Sequence, residues 1–266
     1  MAMKTQFSSI IALERAASLT GRELEASLRK VAPGFPLTID LQGSDDVEPT
    51  LITVNDMQLA ILNIAAPAPA GTFDGAASPN MLWPSAPQEL AKHKAHIMVV
   101  SPDEVETRGE VLARATLVTL VTAAIAAITP AIGVYWPASE NLLSKTQFLE
   151  ATKKIGAAEG VPTEIWVRLY LAEATLGAAG EQVLMTVTRG LRNFVGRDIE
   201  FSPGQMPIDK LVYDTLDFAT YLINTGRAFK NGDTAGSAES PAFRVQLAEN
   251  GQLGDGPVYL IGTPAF

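Results

Sequence analysis

Cysteine is absent from the 266-residue chain, which excludes disulfides, thiolate nucleophiles and thiolate metal sites. Histidine is almost absent as well, with His93 and His96 the only two. Any histidine-based triad would have to recruit one of them, and no serine stands in a Gly-x-Ser-x-Gly elbow, so nothing supports a serine hydrolase. Positive charge is scarce: 20 Lys and Arg against 29 Asp and Glu leave a formal charge of −9. Binding to a nucleic-acid backbone needs a basic face that releases phosphate counterions, so nucleic acid is not the expected partner. The acidic balance suits solubility, and it also suits a protein partner with a basic face.

Charge of either sign is missing from residues 115–139. About 20 apolar residues suffice for a membrane span, so this stretch has to be weighed as one. Thr116, Thr119, Thr122 and Thr129 interrupt it, alanine is commoner than leucine, and Pro130 with Gly133 divides it into a helix and the strand-like segment 131–136. The expectation is a helix over 111–128 buried nearly all round inside a domain, with no membrane as partner. Near the amino terminus, the apolar run from Phe7 meets Glu14 and Arg15 before it reaches the length of a signal-peptide core, so a cytoplasmic location is expected.

What is present reads as alternating strands and helices. Residues 7–13 read as a strand and 21–32 as a helix, with Thr20 and Glu23 forming a capping box at its start. Segments 37–42, 51–54 and 57–65 read as strands, with Asn55-Asp56 as a tight turn between the last two. After the proline-rich 66–69 come a short helix over 87–94 and a strand over 96–101. The order βαββαβ suggests a ferredoxin-like half over residues 1–102. Later segments give a similar order: strand 131–136, helix 146–155, strands 166–172, 181–188 and 198–201, helix 208–224, strands 243–248 and 258–261. The predicted fold is therefore α+β, with two ferredoxin-like halves, 1–102 and 103–266, joined by the buried apolar helix.

Few residues suggest chemistry. His93 and His96 lie three apart but start from a helix end and a strand start, no third ligand is placed with them, and they read as structural. Asp45, Asp46 and Glu48 lack the alternation and distal glutamate of an EF-hand and read as a solvated loop. Trp83, Trp136 and Trp166 read as core. The stretch 188–200 holds Arg189, Arg192 and Arg197 together with Gly190 and Gly196, where guanidinium groups and backbone amides suit a carboxylate or phosphate. Its spacing is not that of a P-loop or a dinucleotide fingerprint. The same arginines would equally brace a turn through Asp198 or Glu200.

Several passages taken in order, namely Ala66-Pro67-Ala68-Pro69, Trp83-Pro84, His93 with Ala95-His96-Ile97, Val134-Tyr135-Trp136-Pro137, residues 188–200 and Asn231-Gly232-Asp233-Thr234, resemble the bacterial domain-of-unknown-function family four-two-six-one. Val195, between Phe194 and Gly196, departs from a Phe-Gly pairing expected there. The resemblance implies a cytoplasmic bacterial protein and brings with it no activity, cofactor or catalytic residue. The functional expectation is a non-enzymatic protein-binding module, one that neutralises or escorts a toxin or effector. The alternative is an enzyme or small-anion-binding protein using Arg189, Arg192 and Arg197 with His96. Neither reading names a metal or a cofactor.

Overall fold

The computed structural model describes residues 6–41, 48, 50–78, 80–105, 107–156, 160–176, 181–202, 206–235, 243–253 and 256–262. Among the described residues it is mixed α+β, with two sheets and eight α-helices. The chain divides into two compact units, Met1–Trp166 and Val167–Phe266.

The first unit contains β1 (Ser8–Leu13), α1 (Gly21–Val31), β2 (Ile39–Leu41), β3 (Leu51–Val54), β4 (Met57–Ile64), α2 (Asp74–Ala77), α3 (Ala86–Leu90), β5 (Ala95–Val100), α4 (Arg108–Ile128), β6 (Ala131–Trp136), β7 (Asn141–Ser144), α5 (Lys145–Gly156) and α6 (Thr163–Trp166). Its strands form one antiparallel sheet in the order β2-β3-β4-β5-β1-β6-β7. Both faces of the interior strand β1 are covered. Ser9 turns towards α4 and shares a 2.6 Å hydrogen bond with Thr122, while Ala12 joins a cluster with Phe73, Trp83, Ala86 and Leu90.

The capping box Thr20/Glu23 starts α1 as expected, and Thr107/Glu110 makes a second box that starts α4. By length and composition α4 could cross a membrane, but 67% of its apolar window is buried inside the unit. Its polar groups are answered locally: Ser27 Oγ donates to Ala124 O at 2.8 Å, and Trp166 Nε1 donates to Thr119 Oγ1 at 2.9 Å. The helix ends where Pro130 cannot continue it.

The second unit contains β8 (Arg168–Leu176), β9 (Glu181–Arg189), α7 (Arg192–Val195), β10 (Asp198–Ser202), α8 (Ile208–Thr225), β11 (Thr234–Ala235), β12 (Phe243–Ala248) and β13 (Val258–Gly262). Its sheet runs β11-β12-β13-β10-β9-β8, with β10 and β13 parallel and the other neighbours antiparallel. Helix α8 packs on β9 and β10 through Leu211, Thr215, Ala219, Leu222 and Ile223.

The α+β class is as expected, but the two ferredoxin-like halves need correction. Strand β6, assigned to the second half, pairs onto β1, and β7, a strand not expected from the sequence, pairs onto β6; together they complete the first sheet. The break therefore falls after Trp166 instead of after residue 102, and α4 packs inside the first unit instead of joining two halves. Strands β1 to β6 were read from local sequence, whereas α2, β7 and α6 were not, and the partner of each strand was set by distant sequence. A smaller correction concerns 166–172: Pro162 opens the helical turn α6, which ends at Trp166, and the strand starts at Arg168.

Candidate functional site

Residues 188–200 form the tight connection between β9 and β10. Gly190 and Gly196, with φ of 99° and 82°, supply the left-handed backbone that lets one helical turn, α7, fit between the strands. Asp198 begins β10 with a side chain only 1% exposed. Its carboxylate accepts from Arg192 Nε, and more distantly, at 3.4 Å, from the Arg192 backbone N–H and from Thr188 Oγ1. Burial pushes the Asp198 carboxyl above the usual carboxylate range, and the Arg192 guanidinium opposes that push without cancelling it.

The other charges of the stretch are engaged as well. Arg197 donates to Ala248 O and to Glu249 Oε1, each at 2.7 Å. Buried Glu200 accepts from the backbone N–H groups of Gln252 at 2.7 Å and Leu253 at 2.9 Å. Gly256 has φ +88°, and a Cβ there would lie 2.6 Å from Arg192 Nη1, so the guanidinium passes over this glycine. Arg189 stands opposite the buried Arg168 in the β8–β9 ladder, and Arg168 lies 4.4 Å from the centre of the Tyr170 ring. The arginine-rich turn is thus clamped to residues 248–253 and to Gly256, and the guanidinium groups of Arg192 and Arg197 hold it there.

His96 belongs to the first unit, where it is buried at the start of β5 and its Nδ1 bonds Ala66 O at 2.8 Å. His93 bonds Leu90 O through Nδ1 at 2.6 Å and accepts the Ala68 N–H at Nε2 at 3.0 Å, so both ring nitrogens are engaged by backbone groups. His96 therefore ties the proline-rich segment 66–69 to β5, and His93 ties it to the end of α3. Among the described residues no group of three or more His, Asp or Glu side chains could hold a metal ion. Asp45 and Asp46 lie outside the described residues; Glu48 accepts from Asn63 Nδ2. The three tryptophans are buried, as expected.

One surface was missed by sequence reasoning. Asn80 bonds Leu142 O through Nδ2 at 2.9 Å, and its Oδ1 accepts the N–H groups of Leu82 at 3.1 Å and Trp83 at 2.9 Å. Gln147 Nε2 holds Leu82 O at 2.6 Å. Trp83 is driven inwards against Gly133, where a Cβ would meet its ring at 2.6 Å, and its Nε1 donates to Glu89. With the backbone so fixed, Met81 and Leu82 point outwards, 54% and 62% exposed. Leu82 edges an open groove of about 540 Å³ with Leu143 and Ala151 among its apolar lining and the ion pairs Lys153–Glu150 and Lys154–Glu164 at its polar margin. Asn80 ahead of Leu82-Trp83-Pro84 is a turn signal, but only the packing of Trp83 reveals which neighbours face outwards.

The family model described as Domain of unknown function (DUF4261) matches residues 187–259, which hold the arginine-rich turn, β10, α8 and β12. The match falls within the second unit, covers roughly a quarter of the chain, and is to the domain-of-unknown-function family that the sequence resembles. No curated protein matches the chain, and no solved structure does.

Proposed function

We propose that this is a non-enzymatic cytoplasmic binding protein that recognises a protein partner by surface complementarity, as one that neutralises or escorts a toxin or effector would. The observation that carries this reading is the pinned pair Met81 and Leu82 beside the groove. Two apolar side chains held outwards by a fixed backbone lose little freedom on docking, which is how preorganised anchors gain affinity. Burying one leucine contributes about 1.5–3 kcal/mol, enough for an anchor when charged residues around it form the rim. The burial of α4 within its own unit supports a protein that works without inserting into a membrane. The alternative, an enzyme or anion-binding protein built on Arg189, Arg192, Arg197 and His96, has less support, since Arg192, Arg197 and His96 each spend donors on intramolecular bonds.

The test is reconstitution. A stoichiometric partner captured by the full chain is purified, and its affinity is measured against wild type and Leu82→Asp. The reading expects Leu82→Asp to weaken the complex about tenfold or more, as loss of a hot-spot anchor does, with an unchanged thermal melt. A complex indifferent to Leu82→Asp would refute docking at this surface.

A further inference from the structure

Helix α8 carries a second surface, in the other unit, that the groove does not use. Its buried face is occupied by β9 and β10, and its opposite face presents Asp209, Tyr213, Asp217 and Tyr221 at successive four-residue steps. Such steps stack side chains along one line of a helix, roughly 6 Å apart. All four are exposed, and the rings of Tyr213 and Tyr221 are large side chains left 69% and 40% open to solvent. Beside the line, Lys210 is neutralised by Asp214 at 2.7 Å. Asp209 and Asp217 have no ion pair among the described residues, so α8 carries a net negative charge on an already acidic chain.

The chain itself shows what such a line accepts. Arg227 reaches back from beyond the end of α8, placing Nη1 3.3 Å from the Tyr221 hydroxyl and its guanidinium 4.7 Å from the centre of the Phe229 ring. Phe218 lies nearly parallel to Tyr221, 13° between ring planes, which steadies the ring that Arg227 meets. One end of the stripe is thus already in contact with a guanidinium of its own chain, while Tyr213 between two carboxylates is open.

We propose that the outer face of α8 docks a basic helical segment of a protein partner, whose arginines pair with Asp209 and Asp217 and lie flat on Tyr213. Arginine fits better than lysine because its planar group pairs with a carboxylate and stacks on a ring at once. The four-residue repeat of the stripe matches a helix with arginines at the same repeat. The inference rests on the reading of the chain as a protein-binding module but concerns a different surface from the groove.

The test uses the full chain and a labelled synthetic helical peptide with arginine at every fourth position, read by fluorescence anisotropy. Binding at low ionic strength is expected, weakening as salt rises to about 0.5 M. Tyr213→Ala and Asp217→Asn should each weaken it about two- to fivefold, and the triple change Asp209→Asn/Tyr213→Ala/Asp217→Asn on the order of tenfold. Glu14→Gln/Asp74→Asn, which removes two charges from the first unit, should leave affinity unchanged, and so should Leu82→Asp. Absence of binding at low salt overturns the proposal. Equal binding by the triple variant, or equal weakening by the Glu14/Asp74 change, overturns it too, since attraction would then come from net charge alone. Because Leu82→Asp is silent here, failure at the groove and failure at α8 are read separately.

Discussion

Replacing Arg192 by alanine would strip a carboxylate of its countercharge while leaving it buried. Asp198 would keep uncharged donors alone, the backbone N–H groups of residues 191 and 192 and Thr188 Oγ1, the last two at 3.4 Å. Removing one partner of a buried pair costs about 3–5 kcal/mol. Arg192 is itself 30% exposed, so solvent already screens part of the attraction and about 2–4 kcal/mol is the expected loss near pH 8. The sign with pH follows from the Asp198 carboxyl, which burial holds above its usual range. A carboxyl raised in the folded state favours folding most when protonated, and that contribution is lost as pH rises through the folded value. Without Arg192 the folded value climbs further and the loss reaches its full size at alkaline pH. The deficit of Arg192→Ala relative to wild type should therefore shrink on acidification, by up to about 1.4 kcal/mol per pH unit across the window where only the variant takes up the proton. Urea unfolding at about pH 8 and pH 5 reads both values, and adding Asp198→Asn should recover more than half of the alkaline deficit. Equal stability of Arg192→Ala and wild type at pH 8, or a deficit that grows towards pH 5, would refute this account of the turn.

Leu120→Asp places a charge at a position of α4 with no solvent access and should cost several kcal/mol, read as a collapse of the melting temperature. Gly133→Ala sets a Cβ 2.6 Å from the Trp83 ring and 2.8 Å from Leu143 O; about 1–3 kcal/mol of overpacking is expected, with altered tryptophan fluorescence as the local readout. His93→Ala leaves the Ala68 N–H without its acceptor and should cost about 1–3 kcal/mol, accompanied by faster proteolysis within 66–69. Elemental analysis of tag-free protein should find no stoichiometric zinc, and an equivalent lost in a His93→Ala/His96→Ala variant would contradict the backbone-clipping role.

What the sequence made legible was local. Thr20 and Glu23 announce α1 within four residues, and Asn55-Asp56 announces a turn in which both residues take positive φ, 50° and 64°. The same signal, Thr107 followed by Glu110, starts α4 at Arg108, three residues upstream of the position expected from hydrophobicity alone, because capping polarity and not apolar content sets a helix start. Strand partnership was hidden, since β6 and β7 are short and each pairs according to an edge left open elsewhere in the sheet. The candidate site divided in the same way. The isolation of the histidines pointed to local hydrogen bonds, whereas Glu249 and Gly256, which capture Arg197 and admit Arg192, lie 52 and 64 residues downstream of them and have no sequence mark tying them to the turn. The Asp209 to Tyr221 line is plain in the spacing once the buried face of α8 is known, and invisible as a surface before that.

The interior place of β1 has a consequence for how the chain is made. Its two neighbours come from far downstream: Ile10 faces Met98 on one side and Tyr135 on the other. During synthesis this interior strand emerges before the other strands of its sheet, and both of its edges are covered only once β5, α4 and then β6 have followed it. At about 5–20 residues per second, that interval is roughly 6–25 s. A strand carrying Ile10, Ile11 and Leu13 is in that period an aggregation hazard, and long-range pairing of this kind folds slowly. Nascent chains arrested before residue 131 should therefore need a chaperone that chains released after residue 166 do not.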